Sequence, residues 1–280
     1  MRWGWPFNRC GGSFQSNIDG TLAVRVIQGW VAATGVECAQ MAQRGITGPR
    51  NFLGGIYGYA HLYGRGQLQP ADVVAGLGSD WRLNRMMFKK YPSCGATQGL
   101  TELTLQLVRE FGITTEQVAG AEVRLNPYCH RLVGHEFALG DNPRVNAQFS
   151  AQYCVANAVV RGAAKLAHFK PDQAADPAVL ELARRVTAVA DPALDLRGHS
   201  SVDLTLTLRN GTVHERKLDI APGYPGNDLS ERQQQARFLD CMEYAARPLA
   251  REQLDGLLAA LARLESLPDV RSLLDWLVVR

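Results

Sequence analysis

The chain has 280 residues, with 30 Lys+Arg against 27 Asp+Glu, a net charge of +3, and 46% apolar and 20% charged residues. These are ordinary globular values, enough for one large or two smaller domains. The basic residues are scattered and no run reaches 18 consecutive apolar positions, which argues against a nucleic-acid partner and a membrane span. The six cysteines, Cys10, Cys38, Cys94, Cys129, Cys154 and Cys241, form no CxxC pair and have no zinc spacing with a histidine. They read as reduced, mostly buried thiols of a cytoplasmic protein.

The opening MRWGWPFNRCGGS lacks the apolar stretch of a signal peptide and gives no start signal for a first element. Residues 20–44 read as a helix, with Val24, Ile27, Val31, Val36, Ala39 and Met41 at helical spacing. Gly29 and Gly35 weaken it, and make sense if another helix backbone approaches there. Residues 45–66 are turn-rich, with a short helix at Ile56–Tyr63, and Pro70–Val74 reads as another with Pro in its first turn.

Thr97–Phe111 is amphipathic, with Leu100, Leu103, Leu107 and Val108 on one face. A polar helical turn follows at Thr114–Gln117, then a strand at Ala121–Leu125. Helices are expected at Phe149–Leu166 and Pro177–Val186, and a strand at Thr187–Ala190. The hairpin signal is stronger. SVDLTLTL alternates over Ser201–Leu208, Arg209–Thr212 supply the turn, and Val213–Ile220 return. Asn210-Gly211 suits a type I′ turn, in which both residues take positive φ. The last 50 residues read as helices Ser230–Ala246, Arg251–Leu264 and Val270–Val278, and Ser230 with Gln233 suggests a capping box.

Helices, a mixed α/β stretch and helices again give a mostly α fold with an α/β insert. The expected arrangement is an all-helical domain made from residues 1–84 and 227–280. A smaller α+β lid over residues 85–226 splits it, with a ligand cleft between the lobes.

Five blocks, in this order, resemble the MmgE/PrpD family: GWVAATGVECAQMAQRGITGP, FKKYPSCGATQG, NAQFSAQYCVANAVVRG, the Asn210-Gly211 hairpin and PGYPGNDLSERQQQARFLDC. The resemblance covers most of residues 20–270. It implies a helical domain split by an α/β lid, with hinges at Arg85–Lys89 and Gly223–Asn227. It also implies a homodimer and cofactor-free, metal-free dehydration, decarboxylation or epimerisation of a small polycarboxylate such as 2-methylcitrate. Relatives carry a helical segment before the point that matches Met1, so the chain is expected to be a truncated member. A catalytically inactive member that binds a carboxylate or self-associates is the alternative.

Such chemistry needs cations to hold carboxylates and spread developing charge, and a positioned acid and base. The resemblance assigns Lys89 to a substrate carboxylate and Tyr128 to hydrogen bonding or acid work, as catalytic residues. Lys90, Cys94, Arg25 and His61 are the substrate-binding candidates. His130 is a further candidate for proton transfer. Arg25 follows Val24 where relatives have lysine. Gln98 stands where many have His, Gly54 where they have Glu, and Asn146 where an acid is frequent.

Overall fold

The computed structural model describes residue 9 and residues 15–19, 21–65 and 67–278. The opening stretch therefore lies, apart from Arg9, outside the described residues, as does Cys10. In chain order the main elements are α1 (Ala23–Gln43), α2 (Gln98–Phe111), β1 (Val118–Leu125), α3 (Pro127–Val133), α4 (Pro143–Gln148), α5 (Ala151–Arg161), α6 (Pro177–Ala183), β2 (Val186–Ala190), β3 (Val202–Leu208), β4 (Val213–Leu218), α7 (Glu231–Met242), α8 (Arg251–Leu261) and α9 (Leu273–Leu277). Single helical turns fill several connections, including Tyr59–Leu62 within the longer helix expected there. The coarse expectation, mostly helix with an α/β part, matches these elements.

The four strands form one mixed sheet in the order β2-β1-β3-β4. β1 runs parallel to β2 and antiparallel to β3, and β3 pairs antiparallel with β4. Val202, Leu204, Leu206 and Leu208 of β3 are buried, while Asp203, Thr205 and Thr207 between them are only partly covered. The period-2 pattern thus gives one apolar and one polar sheet face. The apolar face meets Leu100, Leu103 and Leu107 of α2 and Tyr153, Val155 and Val159 of α5 in one continuous core. The polar face carries ion pairs, Arg124 with Glu122 and Asp191, and Arg197 with Asp203.

Some boundaries differ from the sequence reading, each for a local reason. The hairpin turn is not type I′. Of the Asn210-Gly211 pair only Gly211 has positive φ, and its N–H closes the turn on Leu208 O at 2.9 Å. The longer loop needs one left-handed residue rather than two, and Asn210 Oδ1 accepts from Thr212 N instead. α5 stops at Arg161 because Gly162 adopts the left-handed conformation. α6 ends at Ala183, and Val186 belongs to β2. The sequence reading misses α3 and α4. Each begins with Pro after Asn, and Asn126 Oδ1 accepts from Cys129 N, a regular N-terminal cap. The capping box at Ser230 and Gln233 is present.

The outer helical parts are less covered. On α1, Trp30 is 71% and Val31 61% exposed, and nothing lies within 4 Å of a Cβ built on Gly29 or Gly35. Among the described residues, the close helix approach expected at those glycines is therefore not made. At the other end α8 packs on α9, where Gly256 makes room for Trp276. Among the described residues no helix is long and apolar enough to cross a membrane.

The two stretches expected to be hinges run against one another. Phe88 N donates to Gly223 O at 2.8 Å, and Gly223 has φ +81. A Cβ on Gly223 would lie 1.8 Å from Phe88 O. Gly223→Ala is expected to destabilise the chain by more than about 2 kcal/mol, since it adds left-handed strain to a backbone clash. Leu204→Ala, a cavity in the core, is expected to cost about 2–5 kcal/mol. Urea titrations of both variants check this; a Gly223→Ala chain as stable as the parent would contradict the crossing.

Candidate functional site

The segment KKYPSC, Lys89–Cys94, enters α2 through a turn of helix at Gly95–Thr97. Tyr91, Pro92, Ser93 and Cys94 are all buried, so their backbone groups need partners inside the protein. Gln98, itself fully buried, supplies several of them. Its Oε1 accepts from Tyr91 N at 2.9 Å, and its Nε2 donates to Tyr91 O at 3.0 Å and Cys94 O at 3.2 Å. A second amide works from α4: Gln148 Nε2 donates to Pro92 O at 2.7 Å, while Gln148 O accepts from Cys94 N at 2.9 Å.

Glu102, one turn along α2 from Gln98, sorts the two lysines. Lys90 Nζ reaches its carboxylate at 2.6 Å and Tyr91 Oη donates to the same oxygen at 2.5 Å. Burial pushes the Glu102 pKa up, but the hydrogen bonds from Lys90 and Tyr91 outweigh it and hold the carboxyl below its usual value. Lys90 is thereby neutralised, and its neighbour is not. Lys89 is exposed, and among the described residues it makes no ion pair.

Lys89 follows Phe88, whose N–H donates to Gly223 O beyond the end of β4, so its backbone lies at one end of the sheet. Leu125 at the end of β1 pairs with Val202 at the start of β3, and Val202 pairs with Leu218 at the end of β4. The N-terminus of α2 packs on this same end, where a Cβ on Gly99 would meet Val202 Cγ1 at 2.7 Å. Three connections therefore converge here: α3 after β1, the turn before β3, and the loop after β4. They deliver Tyr128 and Cys129, His199, and Tyr224. The rings of Tyr128 and His199 are 5.3 Å apart, and Cys129 Sγ donates to His199 O at 3.6 Å. The Tyr224 hydroxyl would lie 3.1 Å from a Cβ on Gly95.

Cys94 is the common neighbour. Burial pushes its thiol above the ordinary value; the Ala96 and Gly95 N–H groups and the Lys89 ammonium pull the other way without cancelling it. Cys129 is pushed up to about 11 by burial and by Cys94. Both thiols stay protonated at neutral pH, which suits lining groups rather than nucleophiles.

Of the residues expected from sequence, Lys89, Cys94 and Tyr128 thus come together around this end of the sheet. Lys90 is turned to Glu102. Arg25 on α1 donates to Gln148 Oε1, so it touches the far side of the clamp that holds Pro92. Burial and the nearby Arg144 lower the Arg25 pKa. His61 stands apart, exposed on the turn Tyr59–Leu62. His130 lies on α3, one turn beyond the Asn126 cap. Sequence reasoning misses Tyr224 and His199. PGYPGN reads as a loop, but nothing in its pattern says where its aromatic ring goes. Among the described residues no group of three or more His, Cys, Asp or Glu could hold a metal. Two broad surface depressions, about 530 and 790 Å³, lie beside α6 and on the polar sheet face, and neither includes Lys89, Cys94 or Tyr128.

The MmgE/PrpD C-terminal domain matches residues 91–259. A 2-methylcitrate dehydratase of Cupriavidus necator is 27% identical over 262 residues, covering 87% of this chain and 52% of that protein. A cis-aconitate decarboxylase of Aspergillus terreus is 27% identical over 194 residues, covering 64% of this chain and 39% of that protein. The chain spans about half the length of the first of these curated relatives and less of the second.

The Glu102 arrangement makes stability depend on acid in a defined direction. Its folded pKa lies below the ordinary 4.5, so its contribution is complete above that value and is lost as pH falls through the lower folded one. Glu102→Gln is expected to melt below the parent at pH 7, with the gap closing as pH drops below about 4. Melting curves at a series of pH values test this; a gap that stays constant from about pH 7 to about pH 3 would contradict it.

Proposed function

Because the chain belongs to the MmgE/PrpD family, we propose that it serves a lyase that removes water from a small polycarboxylate, of which 2-methylcitrate is the first to test. In the same reading, residues 85–226 form the lid over a helical domain made of residues 1–84 and 227–280. The protein works in the cytoplasm as a homodimer. The observation that carries the reading is the unequal treatment of two adjacent lysines. Glu102 holds Lys90, while Lys89 is exposed and, among the described residues, has no counter-ion, at the sheet end that Tyr128 also borders. A lone cation costs little to keep charged when it is exposed, and it is the right group to receive a carboxylate.

The chemistry follows from charge. Dehydration breaks a C–H bond beside a carboxylate and passes the proton to a base. The released pair forms the C=C bond as the C–O bond breaks, and the hydroxyl leaves with a proton as water. Negative charge builds on the carboxylate as the C–H bond breaks, and the Lys89 ammonium stabilises it there. Tyr128, half exposed, can donate the proton that the departing hydroxyl needs. Decarboxylation would use the same cation on a different bond, since loss of carbon dioxide also leaves its electron pair beside a carboxylate.

The test compares the two lysines in the whole protein. Alkene formation from 2-methylcitrate and citrate, and carbon dioxide release from cis-aconitate, are followed for the parent, Lys89→Ala and Lys90→Ala. Lys89→Ala is expected to lower kcat/KM by about 100-fold or more at an unchanged melting temperature. Lys90→Ala is expected to lower stability by about 1–3 kcal/mol, because it strands Glu102. Carboxylate binding without turnover would assign a binding protein. Absence of both, or Lys89→Ala behaving like the parent, would overturn the reading.

A further inference from the structure

We propose that the Tyr224 hydroxyl is a second ligand-binding donor at this site, reaching the same small polycarboxylate as Lys89 and limiting the space beside it. The proposal rests on the polycarboxylate reading and names a residue that neither the sequence pattern nor the resemblance singles out.

Four observations carry it. The first is placement. Phe88 and Gly223 are joined by the 2.8 Å hydrogen bond at the crossing, so Lys89 and Tyr224 are the residues that leave it on the two chain segments. The second is rigidity. The loop is closed on itself by Gly223 N to Asn227 O at 2.8 Å, Asn227 N to Tyr224 O at 2.9 Å and Asn227 Nδ2 to Ile220 O at 2.8 Å. Tyr224 is therefore held by its own loop and not merely laid across the surface.

The third is space. Gly95 does not have positive φ, so no backbone strain demands glycine there. What a side chain at 95 would strike is the Tyr224 hydroxyl at 3.1 Å and Met87 Sδ at 3.3 Å. Glycine at this position makes room for the phenol. The fourth is an open valence. Tyr224 is partly buried, yet among the described residues its hydroxyl makes no hydrogen bond with the protein. A half-covered donor with no protein partner, at the sheet end that the free lysine borders, is suited to a ligand oxygen. Burial, with smaller contributions from Cys129, Cys94 and Tyr128, pushes its pKa up to about 12, so it remains a donor at neutral pH. A phenol and an ammonium together suit an anion with several oxygens better than a simple monocarboxylate.

Calorimetric titration of the full chain with citrate tests this, using the parent, Lys89→Ala, Tyr224→Phe and Gly95→Ala. Tyr224→Phe keeps the ring and is expected to weaken citrate about tenfold at an unchanged melting temperature. Gly95→Ala, which displaces the phenol without removing it, is expected to weaken citrate similarly, and it decides the matter if Tyr224→Phe does not fold. Lys89→Ala is expected to abolish binding. Citrate bound equally by the parent, Tyr224→Phe and Gly95→Ala, but not by Lys89→Ala, overturns the role of Tyr224 and leaves the polycarboxylate reading standing. No citrate binding by the parent, or binding indifferent to Lys89, overturns both.

Discussion

A fully buried side-chain amide organises the site. The segment Tyr91–Cys94 crosses the protein interior in irregular conformation, and irregular backbone inside a core leaves polar groups that water cannot reach. Gln98 satisfies three of them from the first turn of α2, pairing with the N–H and the C=O of Tyr91 much as a neighbouring strand would. A histidine ring at this position cannot present an acceptor and a donor in that parallel geometry. Gln98 therefore has a definite structural use in this chain. It fixes where the backbone leaves the core, and hence where Lys89 begins.

Glu102 completes the asymmetry. Two adjacent lysines of the same intrinsic chemistry end in opposite situations because one carboxylate on α2 reaches only one of them. Glu102 lies one helical turn beyond Gln98, on the same side of the helix. The helix period thus places the acid against Lys90 and Tyr91, directly beside the amide that anchors Tyr91. The cation left over is the one that borders the sheet end.

That end of the sheet is a consequence of topology. β1 and β4 finish where β3 begins, so the segments bearing Tyr128, His199 and Tyr224 are brought together although they lie far apart in the chain. Backbone pairing between Phe88 and Gly223 then ties the lysine-bearing segment to the loop after β4. The outer helices are built differently. α1 keeps Trp30 and Val31 in solvent, whereas the central core buries Leu100, Leu107, Val123 and Leu206 almost completely. The hydrophobic stabilisation of the described chain is therefore concentrated between α2, α5 and the sheet.

Residue order alone specified the periodic elements, because their signals are local. The alternation of SVDLTLTL, the leucine face of α2 and the Ser230–Gln233 cap need nothing beyond their own neighbours. It also showed the KKYPSC segment and, through resemblance, the interest of Lys89, Cys94 and Tyr128. Local chemistry could have revealed α3 and α4 too, since Asn-Pro opens both. The fold settled which lysine lacks a counter-ion among the described residues, because the partner of Lys90 sits 12 residues away on a helix face. It alone placed Tyr224 over Gly95, and it alone separated His61 from the rest. Contacts between residues far apart in the chain depend on strand order and register, and no short window of sequence encodes those.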